Sequence, residues 1–511
     1  MMSNDVGSGG FFLPKVYEKN QKLVANSFVR GDFDQAAMTA WSFADEFLCF
    51  AMKSEFLKFA DKSFPNPRFQ NEVPIWFLLT CQFLLRIHQS QRYSNLKTLL
   101  RSGSVLSRVG FNVGSGELGF NNKNTKPRTT AVDQDTVRKF FKDADPNKIR
   151  SWHNIENQKW FRSKKAFHAD GIFILDQTRV VVPNNKNYED ARMMPVDENG
   201  HLYNMHGLSE QQKKALPRRR CYTLSVLLHT DRRRETLHIA GYEFGPGTED
   251  ELDHANKMIP VFCKNHPGVM KLLIMDKGYV SGDFVSMLKS ELNVDFLMPL
   301  KSNMNNFTDA VSIGQQEGNW KEVNETIGAQ GRVLSKTRAQ SVDKMDLWDK
   351  CQVPINTTVF ETTRWSNSKN EYRTHFWVLA STKTFNTPQI CYNRYKIRTE
   401  IEERFRQFKL TWNLKAFPSP SRSLIESHIC FTLLSYSLVE LYLRQHQYQE
   451  KLRQMISTLR RDESLGKDAI IVYSGGSYAV FSLREYTDIL VEMTPEARSK
   501  VASDIDKVEG D

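Results

Sequence analysis

A chain of 511 residues is too long for one hydrophobic core and long enough for two to four domains, and 40% apolar residues is an ordinary share for a globular protein. Its net charge of +11 makes a polyanion the expected partner, with a solvated basic surface as the plain alternative. Seven scattered cysteines without a C-x-x-C pair indicate neither a disulfide framework nor a zinc site, and suit a reducing compartment. The basic residues cluster at Arg162-Ser163-Lys164-Lys165, Arg218-Arg219-Arg220, Arg232-Arg233-Arg234 and Arg460-Arg461. Nucleic acid is the leading partner for such clusters, because each neutralised phosphate releases counterions. The opening residues lack the basic and apolar regions of a signal peptide, and no later apolar run reads as long enough to span a bilayer. The expectation is a soluble cytoplasmic protein with no membrane partner.

In chain order, the first ~30 residues, rich in Gly, Ser and Asn, are expected to be poorly ordered. A helical pattern follows from about Asp34 to Leu100, with Ile75 to Ile87 as its apolar core helix behind Pro74. Arg92 to Arg101 fits either a DNA-reading helix or a plain structural one. After a polar interval from Asn112 to Arg128, a short helix starts near Asp135. At Gly171 the texture changes: Ile172-Phe-Ile-Leu-Asp176 reads as a buried strand ending in a carboxylate. Strand patterns recur at Tyr222 to His229 and Thr236 to Phe244, separated from the first by a long polar loop, Pro183 to Arg220. A helix (Glu249 to Asn265), the strand Met270 to Asp276, a helix near Phe284 to Glu291 and the strand from Val294 then build an α/β sheet. Residues from Ser302 to Asn370 read as a β-rich insertion, after which the sheet resumes at His375. A long apolar helix runs from Leu424 through Leu443, followed by a basic helix (Lys451 to Arg461), an Ile470 strand and an acidic tail.

The run from Tyr395 to Lys409 is predicted to be one amphipathic helix. At ~100° per residue, Tyr395, Arg398, Glu402 and Lys409 fall within an arc of ~60° beside the apolar sector of Ile397, Ile401, Phe405 and Phe408. Glu400, Glu403 and Gln407 project away from that border. Glu402 is thus the glutamate placed along the seam between helix and core. Asp176 and Asp276, each at a strand end, are expected to converge with it. Three converging carboxylates repel one another unless cations neutralise them, and oxygen ligands suit Mg²⁺ or Mn²⁺. Two such ions, as metal ligands of Asp176, Asp276 and Glu402, can drive an in-line phosphoryl transfer. Each acid also has a plain alternative, as a turn, cap or solvated residue.

The spacing of Tyr395, Arg398, Glu402 and Lys409 resembles the YREK signature of IS4-family DDE transposases. Met275-Asp276-Lys-Gly-Tyr-Val-Ser is similar to the family's second-aspartate motif and Leu175-Asp176-Gln-Thr to its first, with Lys277 standing where Arg is common. The resemblance covers roughly Phe167 to Tyr442. It implies an α/β fold: an RNase H-like mixed sheet flanked by helices, interrupted by a β-rich insertion, with an N-terminal helical domain. It also implies that Asp176, Asp276 and Glu402 are catalytic and bind two Mg²⁺, while Tyr395, Arg398 and Lys409 hold DNA phosphates. Trp377 looks like the family's tryptophan that stacks on a flipped base during cleavage through a hairpin, with Trp320, Trp348 and Trp365 as substitutes.

The domain expectation is an N-terminal helical DNA-binding domain (1–165), a core bearing both aspartates (166–300), the insertion (301–374), the second part of the core with the YREK helix (375–445), and a C-terminal region with dimerisation as its candidate role (446–511). The implied function is a bacterial or archaeal cut-and-paste transposase. It would bind double-stranded DNA at terminal inverted repeats as a homodimer and join 3′-hydroxyl ends to target DNA. The alternatives are a metal-dependent nuclease or domesticated descendant, and a catalytically silent DNA-binding protein. The Pro183 to Arg220 loop and the N-terminal region have no counterpart in the resemblance.

Overall fold

The computed structural model of the chain describes residues 17–39, 42–69, 73–99, 132–205, 207–328, 332–345, 348–366, 368–448, 451, 454, 456–459 and 469–509. The strands in chain order are β1 (Glu18–Lys19), β2 (Gln35–Thr39), β3 (Ile172–Val182), β4 (Arg192–Met194), β5 (Arg219–Thr230), β6 (Leu237–Pro246) and β7 (Leu272–Met275), then β8 (Asp295–Pro299), β9 (Lys321–Ile327), β10 (Val333–Met345), β11 (Ile355–Ser366), β12 (Glu371–Ser381), β13 (Ala469–Ser474) and β14 (Ser477–Ser482). The chain divides into two compact units, one of residues 153–406 and one of residues 1–152 with 407–511. It is a mixed α/β protein.

Residues 153–406 are built on one mixed sheet with the strand order β4-β5-β3-β7-β8-β12-β11-β10-β9, and β6 also pairs with β5. The first four residues of β3, Ile172-Phe-Ile-Leu, are all buried, as a strand covered on both faces requires. β3 pairs antiparallel with β5 and parallel with β7, and β7 pairs parallel with β8. The parallel pairs need crossovers, and the Glu251–Asn265 and Gly282–Ser286 helices supply them. The first of these presents His254, Ala255, Met258, Ile259 and Phe262 as its buried stripe. The turn from β5 to β6 is tied by Asp231, whose carboxylate accepts the backbone N–H groups of Arg233, Glu235 and Thr236. One expected basic cluster, Arg232 to Arg234, therefore sits on a hydrogen-bonded turn.

Three expectations for this unit are corrected. β3 does not end at Asp176 but continues to Val182 along β5, and it is β7 that stops at Met275. The Pro183 to Arg220 loop contains β4, which pairs with β5, and a Glu210–Ala215 helix closed by a Ser209–Gln212 capping box. The run from Tyr395 to Lys409 is two helices, Pro388–Lys396 and Thr399–Leu410. Between them, three-residue hydrogen bonds from Arg398 N to Tyr395 O (2.9 Å) and from Glu400 N to Ile397 O (3.0 Å) tighten the chain. Of the residues read as projecting away from the acidic border, Glu400 and Gln407 are buried and Glu403 is half-buried.

The expected insertion carries an Asn305–Glu317 helix and strands β9 to β11. Val342, Met345, Trp348, Ile355 and Val359 share one apolar cluster with Phe296, Met298 and Val378. β12 joins the two parts: its last residues, Leu379 to Ser381, pair with β8, while its whole length pairs with β11.

In the other unit, β1, β14, β13 and β2 form a second sheet from the two ends of the chain. Val24, Phe28 and Phe33 pack there with Ile470, Val472, Phe481, Met493 and Val501. Tyr17 to Arg30, expected to be poorly ordered, forms β1 and a Gln21–Arg30 helix capped by Asn20, and the helical pattern after Asp34 starts instead with β2. The Asn112 to Arg128 interval and part of the Lys451 to Arg461 segment, Arg460 and Arg461 included, lie outside the described residues. The Arg422–Gln445 helix corrects the reading of membrane length: at mean hydropathy 1.3 it is long and apolar enough to cross a bilayer. That apolar window is wholly buried, as in a core helix, and its Glu426 accepts hydrogen bonds from both Arg150 and Arg422.

The Thr399–Leu410 helix is anchored at its start by Arg234 Nη1, which donates to Glu400 Oε1 at 3.1 Å with the glutamate side chain 8% exposed. Glu400→Ala leaves the guanidinium without that carboxylate and should cost about 1–3 kcal/mol in chemical denaturation. In a double-mutant cycle with Arg234→Ala the two losses should be clearly less than additive; additive losses would show that the pair does not hold the helix.

Candidate active site

The site starts from strand register. Leu175 pairs with Met275 in the parallel ladder of β3 and β7, so the residues that follow them, Asp176 and Asp276, stand abreast. Neighbouring strands lie ~4.8 Å apart, which brings the two carboxylates onto one level of the sheet just where β7 ends. Asp276 Oδ1 accepts the N–H of Lys277 at 2.7 Å and caps the short turn Lys277–Tyr279. Asp176 Oδ1 accepts the N–H of Gln177 at 2.8 Å, and its other oxygen accepts from Arg398 Nη1 at 3.0 Å. The second terminal nitrogen of Arg398 donates to Glu402 Oε1. One guanidinium thus spans Asp176, 14% exposed, and Glu402, 51% exposed.

Burial pushes the Asp176 carboxyl up to about 7, with Arg398 and the Gln177 N–H pulling it down and Asp276 and Glu251 pushing it further up. Burial likewise pushes the Tyr395 hydroxyl up to about 12, against the pull of Arg398. Burial works against the charge of Arg398, yet Tyr395, Asp176, Asp276 and Glu402 together raise its pKa. Glu251, absent from the sequence reading, belongs to the same field: its carboxyl is raised by burial and then by Asp276. The only signal for it was its place in the first turn of a helix, which reads as ordinary dipole compensation.

Tyr395 is in the last turn of the helix before the break, with its ring 6.4 Å from that of Trp377. Trp377 is half-buried on β12, stacked on Phe360 at 4.0 Å, and its Nε1–H donates to Thr362 Oγ1 at 3.1 Å. Together with Trp365, Tyr392, His375 and Arg364 it lines a cavity of about 510 Å³. Of the substitutes, Trp348 is buried in the core, Trp320 is half-buried near Phe376, and Trp365 lies under the Arg332 guanidinium. Lys409 is half-buried near the end of the Thr399–Leu410 helix, past the boundary between the two units.

The donor chemistry is all oxygen and suits a hard divalent cation. Among the described residues no three acidic, His or Cys side chains stand close enough to enclose a metal ion. The positive charge that joins Asp176 to Glu402 here is Arg398. The two aspartates, with Glu402 joined to one of them through Arg398, are a donor set of the kind that would hold such a cation.

The profile of the transposase DDE domain family matches residues 167–438, more than half of the chain and the whole stretch that carries these side chains. The chain belongs to this family, whose members are metal-dependent enzymes acting on DNA. No curated protein matches the chain.

Because the raised Asp176 carboxyl holds its proton more tightly in the folded state, its stabilising effect is full below the unfolded value of about 3.9. That effect is lost as the pH rises through about 7. In chelator, the thermal midpoint of Asp176→Asn should therefore gain on that of the unsubstituted protein between pH 4 and pH 7. A difference that stays constant over that range would refute the shift.

Proposed function

We propose that this protein is a cut-and-paste DNA transposase of the IS4 type. It binds the terminal inverted repeats of its element as a homodimer, cleaves them by phosphoryl transfer at Asp176, Asp276 and Glu402, and joins the freed 3′-hydroxyls to target DNA. The observation that carries this reading is the level pairing of Asp176 with Asp276, joined to Glu402 through Arg398. An RNase H-like core is supported by strand order: an antiparallel β3, β5 and β6 followed by parallel β7 and β8, with an acid where β3 and β7 part.

Asp176, Asp276 and Glu402 would hold two Mg²⁺ or Mn²⁺ ions, which when bound activate the attacking oxygen and stabilise the leaving one. Arg398 presents a planar fork suited to phosphate, and a DNA phosphate that takes it frees Glu402. Tyr395 adds a neutral hydroxyl donor and Lys409 a point charge for the backbone. The indole of Trp377, beside an open cavity, suits stacking on a base displaced during hairpin formation. Recognition of the repeats falls to the helical N-terminal region, and the basic clusters supply the salt-dependent part of binding.

The test is incubation of the purified protein with its own terminal repeats and Mg²⁺, scoring nicks, hairpins and strand transfer. Asp276→Ala and Glu402→Ala should each lower cleavage by on the order of 10³-fold or more while end binding in a mobility shift stays within about twofold. Unchanged cleavage in either variant would sink the assignment, and cleavage without strand transfer would favour a nuclease. Trp377→Ala should keep the first nick and lose most of the hairpin product; equal loss of both would assign the indole to folding or end binding instead.

A further inference from the structure

Glu251 stands in the first turn of the Glu251–Asn265 helix, and its neighbours fix where it points. Asp250 caps the helix by accepting the Leu252 N–H at 2.9 Å. His254, one turn on and on the same face, is buried between the Ser225 hydroxyl (2.8 Å) and Glu249 Oε2 (2.6 Å). The Glu251 carboxylate lies against Gly278, two residues past Asp276: a Cβ at that glycine would come within 2.1 Å of Glu251 Oε2. A residue without a side chain is what lets this carboxylate approach the Asp276 turn. Asp276 and Asp250 repel its charge, and Arg179 and Lys301 oppose them. Among the described residues it has no hydrogen bond or ion pair.

A second feature points into the same place. Tyr279, next to Gly278, is fully buried, and among the described residues its hydroxyl makes no well-formed hydrogen bond, only a loose one to the Ser225 hydroxyl. Its ionisation is opposed, beyond burial, by Asp176, Glu251 and Asp276, so the O–H stays a neutral donor and acceptor beside three acids. The Ser225 hydroxyl facing it is engaged with His254 Nδ1 and Gln177 Nε2. A buried hydroxyl this weakly paired is rare and calls for a further polar partner.

We propose that Glu251 is a fourth carboxylate of the acidic site, holding a divalent cation beside Asp276 by accepting hydrogen bonds from the ion's water. This rests on reading the site as a cation centre. Mg²⁺ and Mn²⁺ take one or two carboxylates directly and keep several waters, so an outer carboxylate needs no three-ligand enclosure. The Tyr279 hydroxyl is the second group that meets this water. Outer groups of this kind carry about 10–100-fold in metal affinity.

The experiment measures Mn²⁺ binding to the full chain without DNA, by electron paramagnetic resonance of free Mn²⁺ and by the rise in thermal midpoint on adding Mn²⁺. Glu251→Gln should weaken Mn²⁺ binding by about tenfold or more, with the metal-free midpoint unchanged or higher because one repelling charge is gone. Gly278→Ala keeps the carboxylate but displaces it, and should weaken binding in the same sense. Asp276→Asn is the reference. If it loses Mn²⁺ while Glu251→Gln and Gly278→Ala stay within about twofold of the unsubstituted protein, the role of Glu251 is overturned and the cation centre stands. A lower metal-free midpoint in Glu251→Gln with an unchanged Mn²⁺ response also overturns it, leaving Glu251 as a helix-start residue. If Asp276→Asn binds Mn²⁺ as before, the cation centre itself fails.

Discussion

The parallel pairing of Leu175 with Met275 brings two aspartates to the same level of adjacent strands, and the surroundings must then balance their repulsion. The apolar strand residues beneath hold this register: Ile174, Leu175, Ile274 and Met275 are all fully buried, and a slip of one residue would turn each to the other face. Arg398 supplies the balancing charge, and its delivery depends on the helix behind it. Ile401 and Phe405 bury one side of that helix, while Glu400 ties its start to the β5–β6 turn through Arg234. Tyr395 lies in the helix before the break and Arg398 in the break itself, so both reach the acids without sharing one helical face.

The same sheet also sets the reach of the site. β12 lies two strands from β7, across β8, and its pairing with β8 and β11 makes the aromatic shelf of Phe360 and Trp377 continuous with the acid-bearing strands. Strands spaced ~4.8 Å apart in one hydrogen-bonded sheet move together, so the shelf and the acids keep a stable separation. A shared apolar core under β8 and β10 to β12 adds to that rigidity. Strands β9 to β11 of the expected insertion therefore continue the sheet that carries the acids.

Much of this was legible from local pattern. The buried run at Ile172, the alternation of helices and strands to Leu300, and the apolar seam of Ile401, Phe405 and Phe408 all follow from periodicity, which adjacent residues determine. The break at Ile397 and Arg398 was not legible, because neither residue is a helix breaker and the turn is held by contacts with distant acids. Nor was the pairing of the two chain ends in one sheet, since β1 and β14 lie hundreds of residues apart and a strand pattern does not name its partner. Glu251 was invisible for a similar reason: its distinction is the glycine it leans on, 27 positions away.

By itself the sequence determined which side chains are candidates for chemistry: an aspartate in β3 and one just past β7, a glutamate on an amphipathic helix, and the spacing of Tyr395, Arg398 and Lys409 around it. It also determined the family, whose profile matches residues 167–438. Tertiary structure alone decided that Asp176 and Asp276 stand abreast, that Arg398 joins Asp176 to Glu402, and that Glu251 and the buried Tyr279 hydroxyl belong to the same acidic field. The physical reason is range. Periodicity and capping act over one or two turns of chain, whereas repulsion, burial and hydrogen bonding between these groups exist only once strand register has brought them together.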